Sequence, residues 1–392
     1  MCATATIEPA GARDAFRPTF SELLASEDLT LLREPLRRWM ATGRGRPESA
    51  AIVYEAWLLA GGEPGLIRAS LSAWLALHDR SVVAQLIYKA WLTAGGDHLL
   101  VRHPIERWLA VHGRSPAARF VLVAWLSSGG ADETFYPYIA AWLDAHREDP
   151  DAHYLIRAWL ERGGDRRAVE RPLMCWLARY GDREEAGLVC SEWLLARGAV
   201  GAIETAAARW LAAHGRRADA SFFYEAWLAR TGRLAPVRSS IERWLSAHGE
   251  SMAASFVLKA WLSAGGEHEP VREPARRWLA IHGESVDASF VLTAWLRYGG
   301  EHELLAGPVG RWLDIHGAAP SARFVLRAWL SCGGEPAVIR DGLERWMDVH
   351  RDTRAAWHLR RESAAVASAR LRARGRPTAA GEEPTRQGRS AR

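Results

Sequence analysis

Tryptophan recurs at a fixed interval along most of the chain. From Trp57 to Trp346 there are eighteen Trp residues, each lying seventeen residues after the last, and Trp39 precedes the series by eighteen. The flanking residues alternate between two patterns, so the true period is thirty-four residues. The total of twenty Trp, against nine Phe and eight Tyr, therefore reflects a repeated structural unit.

The first pattern predicts an α-helix. In the copy at 255–266, apolar or small residues occupy offsets −7, −4, −3, 0 and +1 from Trp261, which is the spacing of one helical face. A Ser in the preceding loop (Ser115, Ser251 or Ser285) is expected to be the N-cap. A Gly pair at +4 and +5 is expected to end the helix, because Gly adopts the left-handed conformation readily.

The second pattern predicts a second helix. In the copy at 269–283, offsets −7, −3, 0, +1 and +3 are mostly apolar. Pro at offset −8 (Pro236, Pro270) suits a first helical turn. Pro at offset −4 is expected to kink the helix or to restart it. It occurs in five copies, at Pro35, Pro104, Pro172, Pro274 and Pro308.

Two helices joined by short Gly turns form an antiparallel hairpin that is too small to have its own core. Stacked hairpins supply that core, with the Trp side chains between layers. We therefore expect an all-α, right-handed alpha-solenoid of about nine to ten antiparallel helix pairs built from 17-residue half-repeats. Residues 31–350 are assigned to this array, 1–30 to an N-terminal segment and cap, 351–374 to a capping helix, and 375–392 to a disordered basic tail.

The hairpin resembles the units of known alpha-solenoid families. Its thirty-four residues match the length of tetratricopeptide repeats, and a Pro within one helix of each pair is similar to HEAT-like repeats. The tetratricopeptide pattern of Trp, Leu-Gly, Tyr, Ala, Phe and Pro is not reproduced, because Trp-Leu recurs in both helices. The resemblance covers about 31–349 and implies an architecture, but no particular function.

The charge is unevenly distributed. The net charge is +5, but residues 351–392 hold eleven Arg and four acidic residues, which leaves the rest of the chain at −2. A near-neutral body with a basic tail is weaker support for nucleic-acid binding than the whole-chain charge implies. Four scattered Cys, no apolar run of membrane-spanning length and no secretory leader pattern predict a cytoplasmic protein without a membrane segment.

A histidine column follows the second helix at offset +4. One layer of stacking separates neighbouring members, so two or three of them do not converge on one metal ion. Each is expected to bond carbonyl groups at its own helix C-terminus. The column comprises His78, His112, His146, His214, His248, His282, His316 and His350.

Two sets of side chains are candidates for binding. Arg at offset −1 of the second helix forms a ridge that either binds phosphates or an acidic partner, or supports the structure. In the first helix, offset −2 and the residues before the Gly turn vary between copies. These variable positions either recognise a partner or are unconstrained surface residues. The candidate surface comprises Arg38, Arg107, Arg209, Arg243 and Arg277 from the ridge, Lys89, Arg157, Lys259 and Arg327 from offset −2, and Arg297 and Tyr298 before a turn.

The sequence has no recognised enzyme motif. It lacks GxSxG, a Walker A loop, HExxH and a dinucleotide-binding fingerprint, and we expect no cofactor, metal site or catalytic residue. The repeat is least regular at 175–201. If the protein has a ligand pocket or a bend, we expect to find it in this segment.

The sequence leaves three hypotheses about the function. The leading one is a non-enzymatic scaffold or adaptor with an extended surface for protein or peptide partners. The alternative is a nucleic-acid-binding array that uses the Arg columns and the basic tail. The third is an enzyme built on a HEAT-like scaffold.

Overall fold

The repeat folds into paired helices along the whole of the described chain. The structure is a computed structural model that describes residues 29–42, 47–130, 133–299 and 302–374. The regular structure of these residues consists of twenty α-helices, numbered α1–α20 in chain order, and three short 3₁₀ segments, without a strand. The all-α solenoid expected from the period is confirmed. The predicted N-terminal cap before residue 29 and the predicted disordered tail at 375–392 lie outside the described residues.

The helices fall into two alternating types. Those with the first sequence pattern are called A helices, and those with the second are called B helices. The A helices are α2 (Pro47–Leu59), α4 (Ala84–Thr93), α6 (Ala118–Ser127), α8 (Ala152–Glu161), α10 (Glu185–Leu195), α12 (Ala220–Thr231), α14 (Ala254–Ser263), α16 (Ala288–Tyr298) and α18 (Ala322–Ser331). The B helices are α1 (Thr30–Thr42), α3 (Pro64–His78), α5 (His98–His112), α7 (Tyr136–Ala145), α9 (Arg166–Tyr180), α11 (Glu204–His214), α13 (Arg238–His248), α15 (Glu269–His282), α17 (Ala306–His316) and α19 (Pro336–His350).

Each structural unit contains two layers of helices. The chain divides into unit 1, residues 1–210, and unit 2, residues 211–392. Within unit 1, α2, α4, α6, α8 and α10 pack successively against one another, and within unit 2 α12, α14, α16 and α18 do the same. The B helices pack against the A helices next to them in the chain and form a second layer. In unit 2 a final helix, α20 (Arg354–Arg374), packs against α18 and α19.

The A helices bury more of their surface than the B helices. An A helix inside a unit has A neighbours on both sides and B helices behind it, and in α14 offsets −7, −4, −3, −1, 0 and +1 are all buried. In α14 these residues are Ala254, Val257, Leu258, Ala260, Trp261 and Leu262. The B helix α15 buries only offsets −7, −3, 0 and +1. In α15 these residues are Val271, Ala275, Trp278 and Leu279.

The Trp indoles both fill the core and join the elements. In seven of the nine A helices the indole N–H of the Trp donates to the carbonyl six residues later, as Trp261 does to Glu267 at 2.8 Å. Trp125 and Trp295 are the exceptions. The indole N–H of a B-helix Trp donates to a carbonyl in the preceding repeat, as Trp278 does to Ser251 at 2.9 Å. A buried indole N–H needs such an acceptor. The A column therefore fixes the turn within a hairpin, and the B column fixes the register between hairpins.

The Gly pair after each A helix has two different functions. The first Gly takes a left-handed conformation in most copies, for example Gly163 at φ +72°. The second lies flat against the Trp indole, and a Cβ on Gly164 would overlap the ring of Trp159. The sequence predicted the first function, and the second emerges from the packing.

The predicted Ser N-caps are wrong. The A helices begin three residues later, at Ala118, Ala254 and Ala288, and the residues that precede these positions make no side-chain cap. The Ser contributes its backbone carbonyl instead. The carbonyl of Ser115 accepts from Trp142 Nε1 at 2.8 Å and from the backbone N–H of Ala118 at 3.1 Å.

Pro at offset −4 does not restart the B helices in general. Helices α5, α9 and α15 run without a break through Pro104, Pro172 and Pro274. A 3₁₀ segment precedes α7 and α11, which lack this Pro, and also α17, which has Pro308. The Pro at offset −4 therefore does not determine where a B helix begins. Pro270 lies in the first turn of α15, as expected.

The close approach of Gly164 to Trp159 gives a stability prediction. Gly164→Ala should lower the free energy of unfolding by about 1–3 kcal/mol, because the indole must move out of its packed position. Gly65→Ala is the matched control. It lies in α3 with open space around the added methyl group, and we expect it to stabilise the protein by about 0.5–1 kcal/mol. Thermal and urea unfolding measure both changes, and equal effects would contradict the packing function of the second Gly.

Candidate binding surface

The exposed side of the A helices forms a continuous surface within each unit. At 100° per residue, offsets −5, −2 and +2 fall within about 60° of one another, opposite the buried Trp column. We call this surface the A face. It is present in unit 1 and in unit 2, and it lies away from the B helices.

Aromatic residues dominate offset −5 of the A face. Six of the nine A helices have Phe or Tyr there, and all six rings are exposed to solvent by 44–60%. In unit 1 they are Phe120 and Tyr154, and in unit 2 they are Phe222, Phe256, Phe290 and Phe324. The sequence analysis did not identify this column. A fixed aromatic at an offset outside the apolar helical face was the signal that could have revealed it.

Cationic side chains lie over these rings. Lys89 Nζ is 5.3 Å from the ring centroid of Phe120, and Lys259 Nζ is 5.3 Å from that of Phe290, so a Lys at offset −2 contacts the aromatic of the next repeat. Arg323 lies over the ring of its neighbour Phe324 at 4.5 Å. A cation near a ring face is attracted by the ring quadrupole. The A face therefore combines apolar ring edges with positive charge.

The sequence-predicted residues at offset −2 lie on the A face but differ in solvent exposure and in ion pairing. Lys89 and Lys259 are exposed. Arg157 is half-buried and pairs with Glu161 at 3.1 Å, and Arg327 pairs with Glu362 of α20 at 3.0 Å. Arg297 is exposed at offset +2 of α16, on the same face, and Tyr298 is exposed beside it at the helix end.

The predicted Arg ridge at offset −1 lies in the B layer, away from the A face. Arg209 donates to the carbonyl of Leu177 at 2.5 Å, at the C-terminal end of the preceding B helix. Arg345, in the same column, donates to the carbonyl of Leu313 at 3.1 Å. These contacts satisfy terminal carbonyl groups and place positive charge at the negative end of a helix dipole.

The other ridge residues are also engaged. Arg107 forms an ion pair with Asp79, and Arg277 lies 3.9 Å from a carboxylate oxygen of Glu250. Arg38 pairs with Glu34 at 3.3 Å, and Arg243 donates to the carbonyl of Ser239 at 3.1 Å. The structure therefore does not bring the two sequence-predicted sets into one surface.

The histidine column joins neighbouring repeats. His282 Nε2 lies 2.8 Å from the carbonyl oxygen of Glu250, thirty-two residues earlier, so Nε2–H donates to that oxygen. His112, His146, His248, His316 and His350 repeat the contact at 2.8–2.9 Å. The acceptors lie in the loop of the preceding repeat, so the expected bond to carbonyls of the same helix is wrong.

Two replacements of His282 test whether this hydrogen bond stabilises the protein. His282→Phe removes the donor and should lower the free energy of unfolding by about 0.5–1.5 kcal/mol. His282→Tyr should retain most of the stability, because Tyr180 occupies this column naturally and its hydroxyl donates to the carbonyl of Glu148 at 2.7 Å. Thermal unfolding compares the two variants, and equal losses would show that the hydrogen bond is unimportant.

The irregular segment 175–201 is accommodated by local packing. Arg197 replaces the first Gly of the turn and takes its left-handed conformation at φ +59°. Arg166 donates to the neighbouring carbonyl of Ala196 at 3.0 Å. Burial raises the pKa of the Cys190 thiol to about 12, so this thiol is protonated at neutral pH. Two surface cavities lie elsewhere, between Leu279 and Arg311 and between Leu343 and Ala364.

Glu192 is the irregular residue that has the clearest electrostatic consequence. It stands at offset −1 of α10, where the other eight A helices have Ala. Burial raises the pKa of Glu192, and the nearby carboxylate of Glu161 adds to the rise while Arg157 opposes it. A raised pKa means that the folded protein favours the protonated carboxyl group. The ionised form at neutral pH therefore costs stability.

Glu192→Ala should consequently stabilise the protein more at pH 7 than at pH 4. The greater helix preference of Ala contributes about 0.4 kcal/mol at any pH. The remaining gain should shrink as the pH falls, because the wild-type carboxyl group becomes protonated. Unfolding measured across this range tests the sign, and a gain that grows towards acid pH would contradict it.

Among the residues that the structure describes, no three His, Cys, Asp or Glu side chains lie together in a way that could hold a metal ion. None of the described helices is both long enough and apolar enough to span a bilayer. The A face is the candidate site because its aromatic rings are exposed.

Comparisons with protein-family models, with curated proteins and with solved structures find no match to this chain.

Proposed function

We propose that the protein is a non-enzymatic scaffold or adaptor of the HEAT-like or tetratricopeptide-like kind. It binds protein or peptide partners on its A face and acts in the cytoplasm. The observation that carries the proposal is the column of exposed aromatic rings at offset −5. Contiguous apolar surface on a folded protein is typical of interaction sites, and aromatic residues are enriched in them.

The packing supports this assignment. Helices α14 and α16 already bury six offsets each, so their exposed rings are not needed to hold neighbouring helices together. Their side chains project from a rigid two-layer support, which reduces the ordering that a partner must impose on binding. A repeated surface of this kind suits an elongated partner better than a compact small molecule.

The nucleic-acid alternative receives less support from the same contacts. The Arg ridge in the B layer is occupied by carbonyl and carboxylate partners. The A face of unit 1 includes carboxylates at Glu55 and Glu161, which repel a phosphate backbone. The proposal therefore takes a protein or peptide as the partner.

Recovery of partners from native cell extract tests the proposal. Nuclease-treated extract is passed over the wild-type protein, the A-face variant F256Q/F290Q and the B-layer control I281Q/I315Q. Ile281 and Ile315 are exposed by 56% and 55%, so the control removes comparable apolar surface elsewhere. We expect a protein partner to be retained by the wild type and the control, and reduced about tenfold by the A-face variant.

Two results would contradict the proposal. One is equal recovery by the A-face variant and the wild type. The other is recovery that depends on intact nucleic acid. Circular dichroism and thermal unfolding of all three proteins verify that the substitutions leave the helices folded.

A further inference from the structure

We infer that unit 2 binds an extended acidic peptide in the polyproline II conformation, with an apolar side chain at every third residue. The site is the phenyl ladder, defined as Phe222, Phe256, Phe290 and Phe324. The inference rests on the proposed function and specifies the chemistry of the partner.

The phenyl ladder provides one contact point per repeat. Its rings lie on the consecutive A helices α12, α14, α16 and α18, with exposed fractions of 60%, 46%, 47% and 44%. Packed helices lie about 8–10 Å apart, so successive rings are separated by about the same distance and the ladder spans about 25–30 Å. Met252 and Val286, in the turns before α14 and α16, are also exposed.

The spacing of the phenyl rings favours one backbone conformation of the bound peptide. A polyproline II helix has three residues per turn and rises about 9.3 Å per turn, so every third side chain faces the ladder at the required interval. In a β-strand, side chains on one face recur at about 6.6 or 13 Å, and both distances miss the interval. An α-helix repeats its face after seven residues, about 10.5 Å, which is longer than the interval.

The absence of sheet structure points the same way. Peptides that bind as added strands need an exposed sheet edge to accept their backbone hydrogen bonds. Unit 2 offers no such edge within its described residues, which are helices and turns. A polyproline II segment keeps its backbone solvated and makes its contacts through side chains alone.

Charge indicates that the peptide is acidic. Helices α14, α16 and α18 contain four cationic residues, Lys259, Arg297, Arg323 and Arg327, and no carboxylate. Arg327 is neutralised by Glu362 at 3.0 Å. The other three form no ion pair with any residue that the structure describes.

The charges also define an orientation along the ladder. Glu225 lies on α12, beside the first ring, whereas the unpaired cations lie at the second to fourth rings. Carboxylates of the peptide therefore belong near Phe290 and Phe324. Paired with the cations there, they gain charge-assisted hydrogen bonds at a partly desolvated surface.

The arrangement of the cations favours a peptide over stacked nucleotides. Lys259 and Arg323 cover the faces of Phe290 and Phe324 at 5.3 and 4.5 Å from the ring centroids. Base stacking requires an accessible ring face. Ring edges bordered by cations instead suit aliphatic or proline side chains flanked by carboxylates.

A labelled synthetic peptide tests the inference on the full-length protein. The probe is a twelve-residue peptide of four Pro-Leu-Glu triplets, measured by fluorescence anisotropy. The same measurement is made with a shuffled peptide of equal composition, with Pro-Leu-Lys triplets, with a helical peptide that has Leu at every seventh residue, and with a twelve-nucleotide thymidine strand.

We expect the Pro-Leu-Glu peptide to bind the wild-type protein and the control I281Q/I315Q equally. F256Q/F290Q should weaken binding about tenfold, and so should K259Q/R297Q, whose effect should diminish as salt rises. The shuffled peptide should bind about tenfold more weakly than the regular one.

Several outcomes would overturn the inference. They are equal binding by F256Q/F290Q and the wild type, equal binding of the shuffled peptide, and tighter binding of the lysine peptide, the helical peptide or the thymidine strand. If the peptide does not bind while F256Q/F290Q still loses its partner from cell extract, the proposed peptide chemistry is wrong and the proposed function stands. If the peptide does not bind and F256Q/F290Q recovers as much partner as the wild type, both the peptide chemistry and the proposed function are wrong.

Discussion

Hydrogen bonds from the Trp indoles determine how the repeats fit together. The bulk of the indole fills the space between helices, but bulk alone does not fix a register. In most A helices the Trp N–H closes its own turn, as Trp261 does with Glu267. The N–H of a B-helix Trp such as Trp278 reaches the preceding loop. A shift of one hairpin against the next would leave a buried donor without an acceptor, which is costly. The second Gly of each turn is constrained by the same ring.

The sequence predicted the architecture because a period is visible without knowledge of contacts. Helix type, approximate helix positions and the two-helix unit all follow from the spacing of apolar residues around Trp. The errors concern hydrogen-bond partners. Ser115 was assigned a side-chain cap, whereas its backbone carbonyl accepts from Trp142, and His282 bonds to Glu250 of the preceding repeat. Such partners are thirty or so residues apart, and helical periodicity describes neighbours within one helix only.

The candidate surface was predicted only in part, for a related reason. Lys89 and Lys259 were selected because offset −2 varies between copies, and both lie on the A face. The aromatic column beside them was not predicted, because offset −5 lies outside the apolar face that the helical period defines. Its exposure becomes clear when the helix is placed between its two A neighbours. The Arg ridge was predicted as a possible binding surface, but Arg209 and Arg345 bond to backbone carbonyls. Such partners cannot be identified from a sequence pattern.

The bonds between repeats have a consequence for how such a chain can change in length. Each joins residues 26 to 32 positions apart, irrespective of where the repeat stands in the array. Duplication or deletion of thirty-four codons in frame therefore recreates every donor and acceptor at the new junction. Recombination between copies would add or remove one ring of the phenyl ladder at a time, so the length of the proposed binding surface can evolve separately from the fold that displays it.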